Sequence, residues 1–185
     1  MKKRILIDAN LIRDMLSVCS LKAMLSMECD FCTIDGVLRE LKKVVVSEVF
    51  NRIRNFNKLN IVDLEDSLAD DVLSFHESLS NKLTYTESSI IFYAKKNDCV
   101  ILSSDWNFLN IAKQYVPKVY NLLQVFEGMA RKKVLDYSQA AEFLEDILET
   151  NHCLPKEECE SVLKKMEEQI KMPEDGSSRL RQIAC

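Results

Sequence analysis

RILIDAN, residues 4–10, sets three apolar residues directly before a carboxylate. Ile5, Leu6 and Ile7 have the character of a short buried strand, and Asp8 ends it. NLIRDMLSV, residues 10–18, then carries an apolar stripe at Leu11, Met15 and Val18, which predicts a helix. A buried strand running straight into a helix is how a βαβ unit begins.

The alternation continues outward from there. CDFCTID gives a second strand over about 31–34, and Asp35 is placed to N-cap a helix bearing Val37, Leu38 and Leu41. Val49, Ile53 and Phe56 mark another helix, and NIVDL at about 60–64 reads as a third strand. Residues 65–80 follow as a helix whose early acids suit its dipole. LTYTESSIIFYAKKNDCVILSSDWNFLNIAKQY, residues 83–115, predicts a helix over about 85–96, a strand over about 99–104 and a further helix from Asp105. Past Val119 only helices are predicted, over about 121–132, 137–150 and 156–171, and residues 173–185 read as a flexible tail. Strands and helices in this order predict a parallel sheet, whose ligands gather beyond the C-terminal strand ends.

Composition narrows the class. A chain of 185 residues, 47% apolar and 29% charged, suits one globular domain with a helical appendage. With three Gly and three Pro it should be rich in helix, and tight backbone cradling of phosphate is not expected. The apolar run after Lys2, Lys3 and Arg4 is too short for a secretory segment, and no stretch approaches the roughly 18 apolar residues of a membrane span. The expectation is a soluble, cytoplasmic protein without membrane contact, its seven cysteines reduced. A net charge of −4 offers no global attraction to nucleic acid, so any phosphate-binding surface must be local. Lys42/Lys43, Arg52/Arg54, Lys95/Lys96 and Arg131/Lys132/Lys133 are the candidates, and each also reads as a solvated helix face.

The chemistry rests on carboxylates. Asp8 and Asp105 each follow a strand and should emerge on the same rim of the sheet, with Glu40 and Glu87 on helices near it. Carboxylates gathered so closely repel unless a cation sits among them, and hard oxygen ligands favour Mg²⁺ or Mn²⁺. Each acid has a plainer reading beside this one. Asp105 can N-cap its helix, Asp8 can start a turn and Glu40 can be an ordinary exposed carboxylate. Glu87 can close a capping box with Thr84.

Taken in order, the motifs resemble those of the PIN-domain nucleases. They are D-x-N at a strand end (Asp8, Asn10), an acid within VLREL (Glu40), an acid opening a helix (Glu87 in YTESSIIFYA) and S-x-D after a strand (Ser103, Asp105). The later helices look like the C-terminal extension of a prokaryotic branch in which the third acid is commonly Glu. The resemblance implies a three-layer α/β/α fold with a mostly parallel central sheet, residues 1–120 forming the catalytic domain and 121–172 a helical extension packed on it. It implies a Mg²⁺- or Mn²⁺-dependent endoribonuclease, a toxin restrained by an antitoxin protein, acting as a homodimer on RNA. Asp8, Glu40, Glu87 and Asp105 would be the catalytic and metal-binding acids, with Asn10, Ser103 and Asn107 supporting them. Asn107 stands where many relatives carry another acid, and Ser104 where T-N-D versions carry Asn. Those two positions keep open a non-catalytic PIN-like interaction module, and a nuclease acting on DNA is a further alternative.

Other constellations are thinner. Cys29-x-x-Cys32 lacks a second ligand pair and leads into a strand, which argues against zinc and redox chemistry. His152, Cys153 and Cys159 make an incomplete metal set, and His76 reads as a boundary residue of a helix. Tyr93, Trp106 and Phe108 have the spacing of core aromatics more than of a base-stacking platform.

Overall fold

The first strand, β1 (Arg4–Ile7), lies at the centre of the sheet. The computed structural model of the protein describes residues 4–79 and 82–171. Four further strands join β1: β2 (Asp30–Ile34), β3 (Leu59–Val62), β4 (Val100–Ser103) and β5 (Val119–Asn121). Their order is β3-β2-β1-β4-β5, and every neighbouring pair is parallel. Parallel strands are covered on both faces, which is why β4 (VILS) is buried throughout and why Leu6 and Ile7 are fully buried. Burying each such side chain is worth about 1.5–3 kcal/mol.

Helices supply that cover. The chain leaves β1 through α1 (Ala9–Ser17) and α2 (Leu21–Ser26), and leaves β2 through α3 (Asp35–Val44) and α4 (Ser47–Arg54). After β3 come a 3₁₀ turn (Asp66–Leu68), α5 (Ala69–Ser78) and α6 (Tyr85–Lys96), and α7 (Trp106–Ala112) links β4 to β5. The strands step outward in one direction from β1 to β3, and in the other from β4 to β5. Right-handed crossovers therefore send the two sets of helices to opposite faces, giving an α/β/α arrangement. The reversal separates β1 from β4, and their C-terminal ends flank the crevice where open α/β sheets take ligands.

Three more helices, α8 (Leu122–Arg131), α9 (Tyr137–Thr150) and α10 (Lys156–Lys171), pack on one another and on the core. One cluster of buried apolar side chains runs from Leu6 to Met166, so α8 to α10 share the interior of the sheet domain. None of the described helices is long and apolar enough to cross a membrane.

Some expected boundaries shift. Asp35 is the first helical residue of α3, not its N-cap; Ile34 takes that position, and the Asp35 carboxylate pairs with Arg39 one turn on. The helix expected over 65–80 begins at Ala69, after the 3₁₀ turn. Two elements were not anticipated. The six residues of α2 have no side-chain cap, and the three-residue strand β5 is a partly exposed edge. The expected flexible tail at 173–185 lies outside the described residues.

Candidate functional site

The residue after β1 and the residues closing β4 meet at the sheet's reversal point. Ile7 pairs with Leu102, which brings Asp8 beside Ser103. The Ser103 hydroxyl donates to Asp8 Oδ2 at 2.6 Å and accepts the Asp105 backbone N–H at 2.9 Å. One buried hydroxyl thus bridges both strand-end acids. Asp8 also N-caps α1, its Oδ1 accepting the Leu11 N–H at 2.9 Å. Asp105 N-caps α7 in the same way through Phe108 N–H at 2.9 Å, and its other oxygen accepts from Asn10 Nδ2 at 3.4 Å. The capping reading of Asp105 is therefore realised, and Asp8, read as the start of a turn, caps a helix as well. It also fixes each carboxylate in one orientation at the rim.

Two further groups hold the site from outside. Asn10 accepts a hydrogen bond from the Arg13 guanidinium, so Arg13, Asn10 and Asp105 form one chain of contacts. From β2, Thr33 Oγ1 donates to the Ile7 carbonyl at 2.8 Å and satisfies the last backbone acceptor of β1. Sequence reading passed over both. The signal for Arg13 was its position three residues after Asn10, where helical side chains are neighbours.

Asp8 is 2% exposed. Burial disfavours its charged form and pushes its pKa up to about 7; the Ser103 and Leu11 hydrogen bonds oppose this, while the charges of Asp105 and Glu87 add to it. Glu87 stands half-buried in the first turn of α6, and there Thr84 N–H donates to its Oε2 at 2.7 Å and Thr84 accepts the Glu87 N–H at 3.2 Å. The capping box is complete. Burial raises the Glu87 pKa despite those bonds, and repulsion from Asp105 and Glu40 adds to the rise. Glu87 is thus within electrostatic reach of the other three acids, and Asp8 of Asp105 and Glu87. As placed, however, no group of three His, Cys, Asp or Glu side chains among the described residues converges closely enough to hold an ion. Asn107 is exposed on the first turn of α7 and makes no hydrogen bond to the acids among the described residues.

Ser104 is the exception in an otherwise satisfied site. It is fully buried, and its Oγ is the buried side-chain polar atom without a hydrogen-bond partner among the described residues. Leaving a buried hydroxyl unpaired costs about 1–3 kcal/mol.

The remaining candidates take the plainer roles. The paired Lys and Arg residues are exposed, with Arg52 bonded to Glu48 one turn away and Lys96 lying over the Phe92 ring. Phe108 is buried in the core, Trp106 packs on it, and Tyr93 accepts a hydrogen bond from Arg4. His76 joins α5 to α6 through Ser88 at 2.9 Å. Cys29 and Cys32 are free thiols, and burial lifts Cys32 to about 12.

Comparison with known proteins returns one kind of likeness. No family model matches the chain. No curated protein matches it either. Among solved structures the chain is similar to the "Crystal structure of PAE2754 from Pyrobaculum aerophilum", with a TM-score of 0.53 and 14% identity over 71% of this chain and 99% of that one. At that identity the likeness is one of fold.

Proposed function

We propose that the protein is a divalent-metal-dependent nuclease that hydrolyses phosphodiester bonds in RNA. The observation that carries the reading is the bridge from Ser103 to Asp8 and Asp105, which ties two acids into one rigid unit at the sheet's reversal point. The order of motifs, similar to that of the PIN-domain nucleases, supplies the choice of reaction.

The donor set suits a hard cation: its members are carboxylate oxygens, and burial first, with like-charge repulsion adding to it, raises Asp8 and Glu87. Asp8 and Asp105 would hold Mg²⁺ or Mn²⁺, with Glu87 and Glu40 completing the site directly or through water. When bound, such a cation lowers the pKa of a water and offsets charge developing on the phosphate. The chain's own groups prepare for this. Ser103 fixes the orientation of the Asp8 carboxylate by donating to it, and Asn10 does the same for Asp105. The capping bond to Thr84 uses one oxygen of Glu87, and its other oxygen has no hydrogen bond among the described residues.

A second reading, a PIN-like module without catalysis, is favoured by the lack of three converging ligands among the described residues. Titration with Mn²⁺ and Mg²⁺ against single-stranded RNA and DNA oligonucleotides separates the readings. RNA cleavage that needs metal and is lost in both Asp8→Asn and Asp105→Asn supports the nuclease. Cleavage that persists in both variants, or in EDTA, overturns it. Metal binding without cleavage of either polymer leaves the module, and cleavage confined to DNA changes the substrate.

A further inference from the structure

Next to the acids, a cleft of about 540 Å³ opens between α1 and the α9–α10 loop. Asn10, Asp105 and Ser104 form its inner wall, and Arg13, Asn151 and His152 its outer one. Its size is that of a site for a small molecule or a single nucleotide unit. The outer wall comes from a part of the chain remote in sequence. Asn151 Nδ2 donates to Asp14 Oδ2 at 2.7 Å, which fastens the α9–α10 loop to α1 and sets His152 opposite the acids. Leu154 of the same loop is buried in the core and anchors it from the other side. Its polar residues Asn151 and His152 are thereby held at the cleft.

Two independent observations point to an occupant. The Arg13 guanidinium is exposed in the cleft, within reach of an anionic group, and is linked through Asn10 to Asp105. The buried Ser104 hydroxyl, on the facing wall, has no partner among the described residues. Asp14 and Asp105 also line the cleft, and Asn151 holds the first of them; the remaining cation, imidazole, amide and unmet hydroxyl around a cleft of nucleotide size match a phosphate joined to a base, the chemistry of one unit of a nucleic-acid strand.

Resting on the nuclease reading, we propose that this cleft binds the substrate nucleotide adjoining the scissile phosphate. Arg13 takes its phosphate, and Asn151 and His152 meet its sugar and base. The C-terminal helices thereby form one wall of the substrate site. Specificity for the strand would reside in the α9–α10 loop, while the acids act on a bond common to all sequences.

The test uses the full chain in EDTA, so that binding is read without cleavage. The probe is a fluorescein-labelled ten-nucleotide single-stranded RNA followed by anisotropy. Arg13→Ala should weaken binding by about tenfold. It should also lower the slope of log affinity against log salt by about 0.7, the contribution of one phosphate contact on a single strand. His152→Ala should weaken binding without changing that slope. Location is read separately: Cys153 lines the cleft and Cys19 does not, and both thiols are exposed. The RNA should slow alkylation of Cys153 by iodoacetamide and leave Cys19 unaffected. Absence of binding by the unaltered chain, affinities of both variants within twofold of it, or unprotected Cys153 would each overturn the cleft assignment. Binding with this pattern, in a chain that cleaves nothing in any divalent metal, would uphold the cleft and remove the nuclease reading alone.

Discussion

Ser103 donates a 2.6 Å hydrogen bond to the carboxylate of Asp8, across 95 positions of sequence, inside a site that is closed to solvent at both residues. The same oxygen accepts the Asp105 amide, so one atom sets the relation between two acids. Ser103→Ala removes both bonds and strands a carboxylate and an N–H. Urea denaturation should show a loss of about 2–4 kcal/mol, and metal-dependent cleavage should fall with it. A variant as stable as the parent would mean that the bridge is unimportant.

Asp8 gives a pH signature whose sign follows from its surroundings. Its folded pKa of about 7 lies above the ordinary 3.8. Between those values the folded state holds a proton that the unfolded state has released, so stability falls as pH rises through the window and the full penalty stands above it. Asp8→Asn keeps a competent N-cap and removes the buried charge. At pH 8 in EDTA it should be more stable than the parent by a few kcal/mol, on the order set by a shift of this size, while cleaving nothing. Thermal melts from pH 5 to pH 8 check this; a variant melting below the parent at pH 8 would contradict it.

Metal should act on stability in the opposite direction. A cation bound only by the folded chain, at a hundredfold excess over its dissociation constant, stabilises by about 2.7 kcal/mol, which is roughly 5–10 °C for a chain of this length. Mn²⁺ should raise the melting temperature and EDTA should reverse the rise. Asp8→Asn combined with Asp105→Asn should abolish the response. Equal shifts in parent and double variant would place the metal elsewhere.

Glu87 allows structure and chemistry to be separated. Glu87→Gln preserves the capping box, because Gln serves at that position as well as Glu does. Thr84→Ala breaks it, at a cost of about 1 kcal/mol. The first variant should melt no lower than the parent, since it removes a half-buried charge, and lose most cleavage; the second should melt lower and retain it. The reverse pattern would assign Glu87 to capping alone.

The sequence made some of this legible and hid the rest for identifiable reasons. RILID and CVILSS announced strands because a strand covered on both faces is continuously apolar, and α6 showed its start because Thr84 and Glu87 form a box of local contacts. The two aspartates were found because an acid at the end of such a strand is unusual. Strand order was not legible. Pairing of β1 with β4 is a long-range choice that no local pattern encodes, and it is what brings Ser103 to Asp8. The strand β5 and helix α2 were too short to show a period, and Tyr120 on β5 is exposed as an edge residue. Arg13 resembled any charged helical residue until its bond to Asn10 was seen. Ser104 stood out as a departure from the T-N-D pattern, but its unpaired hydroxyl is a property of its neighbours that no sequence pattern shows.

The central position of β1 has a consequence for synthesis. The earliest of the five strands in chain order has its two sheet neighbours at residues 30–34 and 100–103, and the second of these closes the site. At 5–20 residues per second, Asp8 precedes Ser103 by roughly 5–20 s. During that interval its carboxylate stays hydrated and carries an ordinary acidity, because nothing has yet enclosed it. The meeting of the acids requires the pairing of β1 with β4, a long-range contact of the kind that forms slowly. The acid pair is therefore a property of the completed sheet and of no earlier stretch of the chain.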